Sequence, residues 1–156
     1  MNKGTTIRRA FTLIELLTVV AIIAILVGLL FPAIGSAIKR AERAKAQATV
    51  TGLAVAFKGY YNEFGRWGTN VSASAGNVTT GVFANARGTV LYDFPAKDID
   101  SSGNFVDPWR QPYRFQADPS YSGTVSVSGT NVAGGIAVWS KGPDGTEYNA
   151  DDVKSW

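Results

Sequence analysis

Along the chain, apolar and polar positions change rhythm three times. Phe11 to Phe31 reads FTLIELLTVVAIIAILVGLLF, almost unbroken apolar sequence, interrupted only by Thr12, Glu15, Thr18 and Gly28. A helix of about 20 apolar residues rises about 30 Å, the thickness of a bilayer's hydrocarbon core. Beyond Pro32 the run gives way to a helical stripe. Ile34, Ala37, Ile38, Ala41 and Ala48 begin it, and Val50, Leu53, Ala54, Phe57, Tyr60, Tyr61 and Phe64 continue it at spacings of three and four. Such spacing predicts one apolar face of an amphipathic helix, with a kink at Pro32 and a stop at Gly65. A continuous helix from Phe11 to Phe64 would reach roughly 80 Å.

The pattern then shortens. Asn70 to Thr89 is rich in Gly, Ala, Ser, Thr and Asn and predicts a long surface excursion. Asn77-Val78-Thr79 within it fits a glycosylation sequon, a weak signal. Tyr113–Gln116 and Thr124–Ser128 alternate, and Ile136–Ser140 is a short apolar run. With turns at Ser128–Asn131 and Gly134–Gly135, these predict three short antiparallel strands. The expected fold class is α+β: a long N-terminal helix, half membrane-spanning and half amphipathic, packed on a small antiparallel β-sheet head.

Charge changes the picture at one end only. The chain holds 15 Lys plus Arg, 12 Asp plus Glu, no His and no Cys, for a net charge of +3. Lys3, Arg8 and Arg9 supply that excess, and from Phe11 onward the side chains balance. The pI of about 9.3 therefore belongs to one short segment and gives no ground for nucleic-acid binding. Basic residues beside an apolar span place the N-terminus in the cytoplasm. Lys39, Arg40, Arg43 and Lys45 follow the span as a basic belt, suited to lipid head groups or simply to water. Without His or Cys, disulfides, thiolate or imidazole metal sites and Ser-His or Cys-His catalysis are excluded. An acid pair would be the likeliest catalyst that remains, the chain shows no catalytic constellation, and it is not expected to be an enzyme.

Three readings compete for the N-terminus. A secretory signal peptide has a shorter apolar region than this one. An ordinary signal anchor leaves Glu15 unexplained, because a carboxylate inside an apolar span costs roughly 2.5–3.5 kcal/mol and needs a partner. No Lys or Arg lies between Phe11 and Ile38, so the nearest cation would be a new α-amino group made by cutting before Phe11. Arg8-Arg9-Ala10 followed by Phe11-Thr12-Leu13-Ile14-Glu15-Leu16-Leu17 resembles the class III leader and cleavage motif of type IV pilins and type II secretion pseudopilins. Ala10 stands where that family usually has Gly. The resemblance implies that a prepilin peptidase cuts after Ala10 and methylates Phe11, and that Glu15 pairs with an amine during filament assembly.

Further motifs point the same way. Tyr60-Tyr61-Asn62-Glu63-Phe64-Gly65-Arg66-Trp67 resembles the stretch closing the long helix of many pseudopilins. Asp107-Pro108-Trp109-Arg110-Gln111-Pro112-Tyr113 is similar to a loop of the major pseudopilins, with Arg110 in place of Gly. The last seventeen residues carry four acidic side chains, three of them Asp in or after a glycine-rich turn, which suits a calcium ion's demand for hard oxygens. Here too the chain looks like the calcium loop of the type II secretion major pseudopilin. That resemblance implies Asp144, Asp151 and Asp152 as carboxylate ligands of Ca2+, with supporting oxygens from Lys141 and Thr146. An Asx-turn-rich solvated tail is the alternative.

The domain organisation expected is a leader over 1–10, a transmembrane and filament-core helix over 11–32, an amphipathic helix over 33–65, and a head over 66–156. The head includes a variable loop at 68–106 and the calcium-like loop at 140–156. By resemblance the chain is a structural subunit of a pseudopilus that drives protein secretion across the outer membrane. It would sit once in the inner membrane with its head in the periplasm. Its implied partners are other subunits in a homo-oligomeric filament, the prepilin peptidase, an inner-membrane assembly platform with its ATPase, and the membrane. A type IV pilin or minor pilin for adhesion, DNA uptake or motility is the alternative, and a membrane-anchored periplasmic binding module is a third.

Overall fold

The computed structural model describes residues 11–67 and 91–156. The leader with Ala10, the sequon at Asn77 and the whole predicted surface excursion from Asn70 to Thr89 lie outside them. Helix α1 spans Leu13–Phe64, 52 residues without interruption at Pro32. It stops where the sequence predicts: Gly65 takes φ 67° and donates its N–H to the Tyr61 carbonyl at 2.8 Å, the glycine-terminated end of an α-helix. The chain divides into two units, Met1–Arg40 and Ala41–Trp156.

In the first unit the apolar residues of α1 face outward. Leu13 is 84% exposed and Phe31 75%, and Ile34 and Ile38 are about half exposed. The helix is long and apolar enough to cross a membrane, and its apolar window is wholly unburied. Burial of a stripe begins further along than the spacing suggests. Ala46 is buried where the sequence pattern pointed to Ala48, which is exposed along with Ala41. From Val50 through Leu53, Ala54, Phe57 and Tyr60 the predicted stripe is buried.

The second unit builds its core on that stripe. Strands β1 (Arg114–Ala117), β4 (Ile136–Ser140) and β5 (Val153–Lys154) form one antiparallel sheet in the order β1-β4-β5. Strands β2 (Thr124–Val127) and β3 (Thr130–Ala133) form a separate hairpin. Every residue of β4 is buried, because both of its faces are covered. Ile136 and Val138 join Phe57, Leu53 and Phe115 in the main core, while Ala137 and Trp139 pack with Val125, Val127 and Val132 of the hairpin. A strand covered on both sides reads as a continuous apolar run rather than an alternation. The rings of Phe57 and Phe115 meet at 5.0 Å between centroids, fastening helix to sheet.

Two strands differ from the sequence expectation. Asn131, read as part of a turn, lies inside β3, where its partner is Ser126. The turn is tighter, with Ser128 and Gly129 both at positive φ, as a two-residue hairpin connection requires. The acidic tail, read as loop alone, supplies β5, whose Val153 and Lys154 pair with Ser140 and Trp139.

Candidate functional site: the helix start and the acidic tail

Glu15 is held by its own chain. Thr12 caps α1: the Glu15 N–H donates to Thr12 Oγ1 at 3.3 Å, and the Thr12 N–H donates to Glu15 Oε2 at 2.9 Å. Thr12 Oγ1 also donates to Glu15 Oε2 at 2.7 Å. This is a reciprocal capping box, which satisfies two N–H groups that every helix start leaves without partners. Thr-x-x-Glu ahead of an apolar run is its signature, legible in the sequence beside the cation expected for Glu15. Glu15 therefore has hydrogen-bonding partners independent of any amine. Its carboxylate also sits at the positive end of the helix dipole.

The tail is organised around its acidic side chains. Asp144 Oδ1 accepts from the Thr146 N–H at 2.8 Å, and its Oδ2 accepts from Asn149 Nδ2 at 2.7 Å. The Asp144 N–H lies 3.4 Å from Asp151 Oδ2, so the loop brings these two residues together across seven positions. Asp152 is buried. Its Oδ2 accepts from the Tyr148 N–H at 2.8 Å and pairs with Lys154 at 3.6 Å, whereas its Oδ1 is buried without a hydrogen-bond partner. A buried carboxylate oxygen left unmatched is costly and is the feature that best suits a cation ligand. Among the described residues, however, no three carboxylates already converge as a metal-binding group. The Lys141 side chain is engaged elsewhere, its Nζ 3.1 Å from Glu147 Oε1, which also pairs with Arg114 Nε at 3.0 Å. Glu147, given no role from sequence, thus ties the tail to β1.

A second carboxylate anchors the tail from below. Asp107 is buried. Its Oδ1 accepts from the Trp109 and Gln111 N–H groups at 3.0 and 2.8 Å, and its Oδ2 accepts from Ser140 Oγ at 2.6 Å. Ser140 Oγ in turn accepts from the Gly142 N–H at 3.1 Å. The Asp107–Pro108 turn is therefore hydrogen-bonded to the start of the tail. Arg110, standing where the resembling loop has Gly, takes φ 67°, so the turn keeps a left-handed position without glycine.

Burial pushes the Asp107 carboxyl above its ordinary value of 3.8, against the pull of its three donors. A group raised in the folded state contributes stability that is fully present below the unfolded pKa and is lost as pH rises through the folded pKa. Asp107→Asn, which removes the charge, should flatten the stability profile above pH 3.8. Thermal unfolding followed across pH 3 to 7 checks it; an unchanged profile would mean that Asp107 is not desolvated in the folded chain.

Comparison with known proteins bears on the helix start alone. No curated protein and no solved structure matches the chain. Residues 6–31 match the family model described as the prokaryotic N-terminal methylation motif, so this chain carries that prepilin-type motif from Thr6 into α1 as far as Phe31.

Proposed function

We propose that the protein is a type IV pilin-like structural subunit, cut by a prepilin peptidase before Phe11, methylated there, and assembled into a pseudopilus that serves protein secretion. The observation that carries this reading is the methylation motif over 6–31 at the head of a helix whose apolar side chains are left exposed. Exposed apolar surface on this scale needs lipid or other helices around it. Single-pass insertion with the leader in the cytoplasm, followed by lateral packing of such helices, supplies both in turn. In the packed bundle Glu15 would neutralise the Phe11 amine of a neighbour while remaining bonded to Thr12. The charge pair would then favour one register over others. Analysis of the mature N-terminus tests the processing step.

The secretion branch is favoured over an adhesive or motility pilus by the acidic tail, which resembles the calcium loop of major pseudopilins. In this reading Asp144, Asp151 and Asp152 hold Ca2+ with oxygens of Lys141 and Thr146, and the unmatched Asp152 Oδ1 gains its missing partner. The ion would staple the tail where no Cys is present to form a disulfide. Millimolar calcium should raise the melting temperature of the chain, and Asp144→Ala should abolish the rise. Equal melting temperatures with calcium and with chelator would remove the metal from this account and leave an Asx-turn tail.

A further inference from the structure

A cleft of about 330 Å³ opens in the second unit, away from the acidic tail. The last turns of α1 supply Lys58, Tyr61 and Asn62, the chain just after the helix supplies Trp67, and the loop after β1 supplies Tyr121. Its size lies at the lower end of ordinary ligand sites.

The wall is aromatic and ordered. Tyr61 stacks on Trp67 at 4.6 Å with 26° between the planes, and Tyr121 lies near-parallel to Tyr61 at 6.0 Å and 30°. Trp67 approaches the turn before β4 so closely that a Cβ on Gly135 would stand 2.6 Å from its Cζ2. Gly135, at φ 72°, therefore has to be glycine for this wall to form.

Tyr121 is the telling residue. It is 53% exposed and holds φ 56°, a left-handed conformation that costs a bulky L-residue roughly 1–2 kcal/mol. Its loop is pinned in that shape by Asp118, which is 1% exposed. Asp118 accepts from the Ser120 N–H and Oγ at 2.9 and 2.7 Å, from Ser122 Oγ at 2.9 Å and from the Gly123 N–H at 2.8 Å. These bonds hold the Asp118 carboxyl well below the usual range, so the clamp stays charged. Asp118 thus fixes the backbone, and the Tyr121 ring is left with a face open at the cleft beside Tyr61.

We propose that this cleft binds an oligosaccharide, with a pyranose ring on the Tyr121 face and its oxygens met by Lys58 and Asn62. A sugar's C–H face is electropositive and matches the negative face of an aromatic ring. Its hydroxyls both donate and accept, as the Asn62 amide does, while Lys58 donates only. The Asp118 carboxylate also lines the cleft, but both its oxygens are taken by donors of its own loop, so Lys58 is the charge turned to a ligand and favours a sugar that carries a carboxylate. A polyproline segment, the other usual occupant of aromatic grooves, offers carbonyl acceptors alone and leaves the Asn62 acceptor unused. The site is independent of processing and assembly at the helix start.

Calorimetric titration of the full chain in phosphocholine micelles, which contain no sugar, tests the site. The probes are trigalacturonate and the neutral trisaccharide of N-acetylglucosamine. Saturable binding is expected, tighter for the acidic probe, with a Kd of about 1 mM or below. Tyr121→Asn removes the ring but suits the left-handed backbone, so it should keep or raise the melting temperature while weakening binding at least about tenfold. Lys58→Gln should erase the preference for the acidic probe. The proposal is overturned by no saturable heat from either sugar up to about 10 mM, by binding that survives Tyr121→Asn, or by uptake of a hexaproline peptide in their place.

Discussion

Phe57→Ala should destabilise the head more than any other single truncation of α1. Phe57 is 1% exposed and lies against Phe115 of β1 at 5.0 Å, in the cluster that also holds Leu53, Ile136 and Val138. Removing a buried phenyl ring costs about 3–5 kcal/mol through lost transfer energy and the cavity left behind. Ordinary domains have only about 5–15 kcal/mol in total. The melting temperature of the second unit should therefore fall by more than about 10 °C. Val55, two positions earlier on the same helix, is 64% exposed, and Val55→Ala should stay within about 0.5 kcal/mol. Near-ultraviolet circular dichroism on heating compares the two. Similar melting curves for the two variants would mean that this face of α1 does not pack on the sheet.

Gly142→Ala should be the most damaging small substitution in the tail. Gly142 adopts φ 69°, and a Cβ there would stand 2.6 Å from the Asp151 carbonyl oxygen and 2.8 Å from its Oδ2. A backbone oxygen cannot step aside as a flexible side chain would. The left-handed backbone alone costs an alanine about 1 kcal/mol, and forcing a methyl into a filled site adds about 1–3 kcal/mol. Gly145 provides the control, since it has the same φ of 69° but its nearest neighbour would lie 3.6 Å away. Gly145→Ala should lose only the backbone share. Gly142→Ala should lose that and also break the Gly142–Ser140–Asp107 chain of hydrogen bonds. Urea unfolding of both variants measures the difference; equal midpoints would show that the tail does not close over Gly142.

How much of this was readable from sequence depended on how local the cause was. The long helix announced itself through an apolar run, a stripe at spacings of three and four, and a glycine stop. Strand β4 was equally plain, since covering both faces makes all five positions apolar or small. Strand β3 was not, because Thr130-Asn131-Val132-Ala133 buries only Val132 and becomes a strand through pairing with β2. Strand β5 has two residues and no period to read. Where burial of the α1 stripe begins, Ala46 and Ala48 are chemically the same, and only packing distinguishes them. The Thr12–Glu15 capping box is local and legible as Thr-x-x-Glu ahead of an apolar run. In the tail, the three Asp positions were legible while their hydrogen bonds were not. The Asp107–Ser140 contact and the Arg114–Glu147 ion pair join residues more than thirty positions apart, which no spacing rule reports. The strained Tyr121 was likewise invisible, since nothing in Pro119-Ser120-Tyr121-Ser122-Gly123 demands a left-handed tyrosine.

The proposed filament subunit depends on processing at Phe11. Intact-mass and peptide mass spectrometry of the protein recovered from membranes of a host with a prepilin peptidase reads that step. A mature chain that begins with N-methylated Phe11 and lacks Lys3, Arg8 and Arg9 is expected. A chain that still begins at Met1 or Asn2, with an unmodified Phe11 inside it, would overturn the proposed processing and with it the filament subunit.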